Sequence, residues 1–186
     1  MAYLTLIATG ALDQARNEVG AGQLAQLVTR IHQVVQRTLN QDKDYAKSDD
    51  GLELGACYLP TDRKSPMIFV GARFSLFISD GISIEELKGD RKGLGYAKIP
   101  KDQTFTEYSV LRASDKSYYM TSDGLIDQVG GERRRGFSKR RFKDLLIEYS
   151  RLPMSDQKIQ ILKALDKYQG TEVRRDDVSV IGFKIS

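Results

Sequence analysis

The 186-residue chain has a single cysteine, a single histidine and no run of eighteen apolar residues. Each shortage removes a class of protein. Cys57 lies in an apolar run and has no second cysteine to pair with, so no intramolecular disulfide forms and cytoplasmic residence is expected. His32 has no other histidine or nearby cysteine with which to build a zinc site, and reads as an ordinary helix residue. The apolar stretches are strand-length, too short to cross a membrane. The opening "MAYLTLIATGALDQ" lacks a basic leader and continues as an amphipathic helix, unlike a signal peptide. The glycine- and lysine-rich "KGDRKGLGYAKIP" satisfies neither the dinucleotide nor the P-loop pattern, so no phosphate is assigned to it.

What is present is ordinary in proportion: 40% hydrophobic and 29% charged residues, enough for one domain with a sizeable core. The net charge of +4 comes partly from Arg133-Arg134-Arg135 and Lys139-Arg140-Arg141. Such a patch suits an acidic surface, but most charge runs are solvated faces. No aromatic residues interleave with these cations as a single-strand groove requires, so no nucleic-acid partner is expected.

Along the chain, Leu4, Ile7, Ala8, Ala11, Leu12 and Ala15 recur at helical spacing, and Gly20 and Gly22 end that helix. A second helix, from Gln23 to Leu39, carries Leu24, Leu27, Val28, Ile31, Val34 and Val35 as its stripe. "NQDKDYAKSDDG" reads as a loop, after which "LELGACYL", "PMIFVGAR", "FSLFIS", "TFTEYSVL" and "KSYYMTS" read as antiparallel strands. Two more helices follow. Ser138 is expected to cap the first, which buries Phe142, Leu145, Leu146 and Tyr149; Ser155 is expected to cap the second, which buries Ile159, Leu162 and Leu165. "DDVSVIGFKI" closes the chain as a strand. Helices gathered at both ends of a run of strands predict an α+β fold.

The chemistry-bearing feature is a pair of acidic strand ends. Asp123-Gly124 ends the strand at Met120, and Asp176-Asp177 opens the closing strand. Asp-Gly also suits a hairpin turn, and Asp-Asp an exposed loop. If the two strands are antiparallel neighbours, both acidic positions share one sheet edge. Hard cations such as Mg²⁺ and Mn²⁺ take carboxylate oxygens and water, often with few protein ligands.

"YYMTSDGLIDQVGG…GFSKRRFKDLL…RRDDVSVIGFKI" resembles the C-terminal half of bacterial PP2C-like (PPM) protein phosphatases of the SpoIIE/RsbU type. "LTLIATGALDQA", "DDGLELGACYLP" and "FVGARFSLFISDG" resemble earlier segments of the same family, in order. The resemblance covers essentially the whole chain. It implies a PP2C-like β-sandwich flanked by helix pairs, with residues 1–186 as the C-terminal portion of one phosphatase domain. It implies Mn²⁺ or Mg²⁺ as cofactor, Asp123 and Asp176 as metal ligands, and Asp177 beside them as the weaker match. The implied reaction is attack on a phosphoserine or phosphothreonine phosphorus by metal-activated hydroxide. The implied substrate is a phosphorylated regulatory protein of the anti-sigma-factor-antagonist kind. The two opening helices match a regulatory switch, which suggests a homodimer contact and places the chain as a possible tail of a longer sensor.

Two departures bear on activity. The family's early Gly-Asp, whose aspartate bridges two metals, and its Gly-His-Gly turn have no counterpart here; Met1 falls where the family is already inside its first long helix. Gly71-Ala72-Arg73 stands where eukaryotic members have Gly-Asp-Ser-Arg, so a third metal is not expected. A non-catalytic interaction module of the same fold is therefore the alternative reading.

Overall fold

The computed structural model describes residues 2–43 and 48–185, so part of the loop expected after the second helix lies outside the described residues. The chain divides into two compact units, each assembled from separate segments.

The first unit comprises the residues up to Ser75 with Lys88–Arg112. Helices α1 (Ala2–Glu18) and α2 (Leu24–Thr38) pack against each other, and α2 also packs on a sheet of order β1 (Leu54–Tyr58), β2 (Met67–Ala72), β5 (Glu107–Val110). The shared core holds Ile7, Ala11 and Ala15 from α1, Val28, Ile31 and Val35 from α2, and Val70 and Ala72 from β2. Small residues on α1 let the two helices approach closely. They also limit how much apolar area α1 buries.

Polar side chains fasten α2 to the loop after residue 93. His32 is fully buried; its Nε2 donates to the Pro100 carbonyl at 3.0 Å and its Nδ1 accepts the Gly95 N–H at 2.9 Å. Gln36 Nε2 donates to the carbonyls of Tyr96 and Ile99. The histidine read as an ordinary helix residue is thus a neutral, fully bonded core residue, satisfied as buried polar groups must be.

The second unit comprises Leu76–Leu87 and the residues from Ala113 onward. Its sheet has the order β4 (Ile84–Lys88), β3 (Ser75–Ser79), β6 (Ser117–Thr121), β9 (Val180–Lys184). Antiparallel β6 and β9 pair from Ser117↔Lys184 to Thr121↔Val180. After β6 come α3 (Asp123–Asp127), a short hairpin of β7 (Val129–Gly130) and β8 (Arg135–Gly136), then α4 (Ser138–Glu148) and α5 (Met154–Gln169). Phe77, Tyr119, Leu125, Phe142, Leu146 and Leu165 build the core of this unit.

The cap and face of α5 differ from the sequence reading. Pro153 sets the start, its carbonyl accepting the N–H groups of Asp156 and Gln157, so Ser155 sits inside the first turn and caps nothing. The buried face is Gln157, Ile161 and Leu165, while Ile159 and Leu162 are exposed. Gln157 faces inward because its Oε1 accepts a 2.6 Å hydrogen bond from the buried Tyr119 hydroxyl. On α4, Phe142 and Leu146 are buried as expected, whereas Leu145 and Tyr149 are only half-buried. Phe137 occupies the cap position of that helix, and Ser138 stands at φ +78° with its Oγ 3.5 Å from the Arg141 N–H.

Candidate metal centre

Asp123-Gly124 is a strand-to-helix junction, not a hairpin turn: β6 ends at Thr121, Ser122 is extended, and Asp123 opens α3. Because β6 and β9 pair with Thr121 opposite Val180, the segment leading into β9 runs alongside this junction. Ser122 ties the two together. Its N–H donates to the Ser179 carbonyl at 3.0 Å, its Oγ accepts the Ser179 N–H at 3.0 Å, and its hydroxyl donates to the Asp177 carbonyl at 3.1 Å.

Gly124 brings the acidic segments closer still. A Cβ there would lie 2.3 Å from the Asp177 carbonyl oxygen and 3.3 Å from the Asp176 carbonyl carbon. The missing side chain is what allows the α3 backbone to lie directly on the Asp176-Asp177 peptide. Asp123 therefore stands next to a residue in contact with both acids of the β9 approach. Sequence reading named the three aspartates without giving a role to Ser122 or Gly124. The signal was present in the Ser-Asp-Gly tripeptide itself.

All three aspartates are exposed. The Asp176 carboxylate accepts the Asp177 N–H at 2.7 Å, which orders the pair at the loop tip. The donors are carboxylates without imidazole or thiolate, a chemistry that fits Mg²⁺ or Mn²⁺ and not a soft metal. Among the described residues, no group of three or more histidine, cysteine, aspartate or glutamate side chains is arranged to hold an ion.

The whole of residues 2–186 matches the family model for Stage II sporulation protein E (SpoIIE). The chain belongs to the SpoIIE family. Among solved structures, it is similar to the SiaA-PP2C domain of Pseudomonas aeruginosa, with 31% identity and a TM-score of 0.87 over 100% of this chain and 70% of that one. It also resembles the PPM Ser-Thr phosphatase MsPP from Mycobacterium smegmatis, solved with cacodylate. There the identity is 14% and the TM-score 0.64, over 97% of this chain and 81% of that one. The catalytic domain of serine threonine protein phosphatase PstP, solved with two manganese ions, matches at 15% identity and a TM-score of 0.60, over 95% and 78% of the two chains. No curated protein matches. The mixed helices and antiparallel sheets of this SpoIIE-family chain are those of the PP2C-like fold.

Proposed function

We propose that this SpoIIE-family chain removes the phosphoryl group from a phosphoserine or phosphothreonine of a regulatory protein of the anti-sigma-factor-antagonist kind. Mn²⁺ or Mg²⁺ is the cofactor, with Asp123 and Asp176 as its ligands and Asp177 beside them. The observation that carries this reading is the junction where Gly124 lets the start of α3 lie against the Asp176-Asp177 peptide at the paired ends of β6 and β9. A divalent cation held there would supply a nucleophile from water at neutral pH and would neutralise charge on the phosphoryl oxygens. The chain's own part is to fix the carboxylates. Ser122 fastens both strand ends, and the α3 N-terminus begins at Asp123.

A second reading has one observation in its favour. No three-carboxylate group exists among the described residues, as a non-catalytic interaction module would show. Calorimetric titration with Mn²⁺ and hydrolysis of p-nitrophenyl phosphate separate the two. The phosphatase reading expects Mn²⁺ binding and metal-dependent turnover, and both fall in Asp123→Asn by about a hundredfold or more, beyond what loss of an outer-shell partner costs. Undiminished binding and turnover in that variant would remove Asp123 from the site. Absence of Mn²⁺ binding by the unaltered chain would favour the module.

A further inference from the structure

The β7–β8 hairpin raises a separate matter. Its turn and the start of β8, Glu132-Arg133-Arg134-Arg135, concentrate charge that the aspartate site does not use. It is held unusually firmly for a short surface hairpin. The Tyr168 carbonyl of α5 accepts the Gly131 N–H at 2.8 Å, and the Tyr168 hydroxyl donates to the Arg135 carbonyl at 2.8 Å. A Cβ on Gly130 would fall 2.0 Å from that same Tyr168 carbonyl oxygen, so this close approach requires glycine.

The three consecutive arginines differ in what they do. Arg134 is consumed by Glu172 in a two-point pair, Nε to Oε1 at 2.8 Å and Nη2 to Oε2 at 3.1 Å. The Arg133 and Arg135 side chains make no ion pair or hydrogen bond among the described residues. They line a cleft of about 410 Å³ with Glu132, Arg141 and Tyr168. Arg141 is pre-set, its guanidinium 4.8 Å over the Tyr168 ring and its Nη1 donating to the Phe137 carbonyl at 3.1 Å. Three guanidiniums thus face one carboxylate.

Arg141 and Tyr168 also border a groove of about 360 Å³ between α4 and α5, walled by Phe137, Leu145 and Ala164, where the opposite charges of Asp144 and Lys167 offset each other. The two recesses share their dividing wall, so one short segment can occupy both. We propose that this double recess docks an acidic segment of a partner protein. Carboxylates of that segment would enter the arginine cleft, and one adjacent apolar side chain the α4–α5 groove. Charge complementarity selects the acidic occupant. The groove selects a peptide over a nucleic-acid strand, since the cleft offers one aromatic wall and no succession of stacking faces. The pinned backbone lowers the ordering cost of binding. The inference does not depend on a loaded metal site.

The test uses the full chain and a fluorescein-labelled nine-residue peptide with four glutamates on each side of one phenylalanine, read by fluorescence anisotropy. The expected result is binding that weakens by about tenfold or more in Arg133→Glu/Arg135→Glu, as loss of complementary charge predicts. Arg140→Glu/Arg151→Glu, an equal change of charge outside the cleft, should leave it nearly unchanged. Ala164→Trp fills the groove and should weaken the phenylalanine peptide to the level of an all-glutamate peptide. Equal affinity for the two peptides, or equal loss with Arg140→Glu/Arg151→Glu, would reduce the surface to diffuse positive charge and overturn the proposal. Tighter binding of a single-stranded oligonucleotide than of the peptide would overturn it in favour of nucleic acid.

Discussion

Gly124 carries the most consequence for its size. Its hydrogen faces the Asp177 carbonyl across a gap that a methyl group cannot enter, since the added carbon would be 2.3 Å from backbone oxygen. Backbone on both sides leaves nothing flexible to yield. Gly124→Ala is therefore expected to cost about 1–3 kcal/mol, the usual range for overpacking. It should also push the Asp176-Asp177 segment off the β6 end. Urea denaturation measures the first effect, and amide shifts of residues 176–179 the second; an unshifted loop would mean the contact is not formed in solution. His32 is the residue whose charge state the fold dictates. Burial disfavours its imidazolium and holds its pKa below the ordinary 6.5, the Pro100 bond opposing this only in part. The unfolded chain then binds the proton more readily than the folded one. Its contribution is thus full above pH 6.5 and is lost as pH falls from 6.5 through the lower folded value. Protonation would also turn Nδ1 into a donor facing the Gly95 N–H. In His32→Gln, stability should lose this component of its pH dependence below 6.5, and parallel pH curves for the two proteins would contradict the assignment.

At the level of elements, the two opening helices are not equals. Helix α2 touches β1 and β2, and His32 and Gln36 bond it to the 95–100 loop. Helix α1 contributes chiefly Ile7, Ala11 and Ala15 to the core, while Tyr3 and Leu6 are 65% and 72% exposed. The two opening helices, which by resemblance match a regulatory switch, thus divide, with α1 as the less anchored half and its exposed face as the proposed self-association surface. Hydrogen exchange should show α1 amides between Leu4 and Ala15 exchanging well ahead of those of β6, with α2 between them. Protection of α1 equal to that of β6 would make it a fixed part of the core. The strands and helices that were legible share a trait: each carries its own periodic apolar stripe between turn residues, as β6 does between Asp115-Lys116 and Asp123-Gly124. The elements that were not legible depend on distant partners. Strand β4, with Glu85 and Glu86 in its middle, forms because Lys139 and Lys143 of α4 each reach Glu86 at 2.7 Å. The β7–β8 hairpin has two residues per strand and is held by Tyr168, more than thirty positions onward. The same applies to the site. Its aspartates were visible as acids at strand ends, whereas the approach of Gly124 to the Asp176-Asp177 peptide needed the β6–β9 register.

The whole molecule is assembled from interleaved segments, and this sets how it should respond to being cut. Residues 76–87 belong to the second unit although they precede residues 88–112 of the first. In the second unit they supply β3, which lies between β4 and β6, so β6 is flanked on one side by a strand from upstream and on the other by β9. A chain consisting of residues 113–186 would keep the β6–β9 pair but leave β6 with an unpaired edge. It would also expose Tyr119 and Phe142, which pack with Phe77 of β3 in the unit's core. A two-stranded remnant without its neighbours is marginal in water. The complementary piece, residues 1–112, would carry β3 and β4 with no β6 to pair. We propose that the 186 residues therefore fold as one domain, in keeping with the connections. Circular dichroism and amide spectra of the two separate pieces should show the second without its native sheet, and mixing the pieces should restore ordered signal from Tyr118 and Tyr119. A folded, cooperatively melting 113–186 fragment would show that β6 and β9 need no upstream strand, and that the second unit is a domain in its own right.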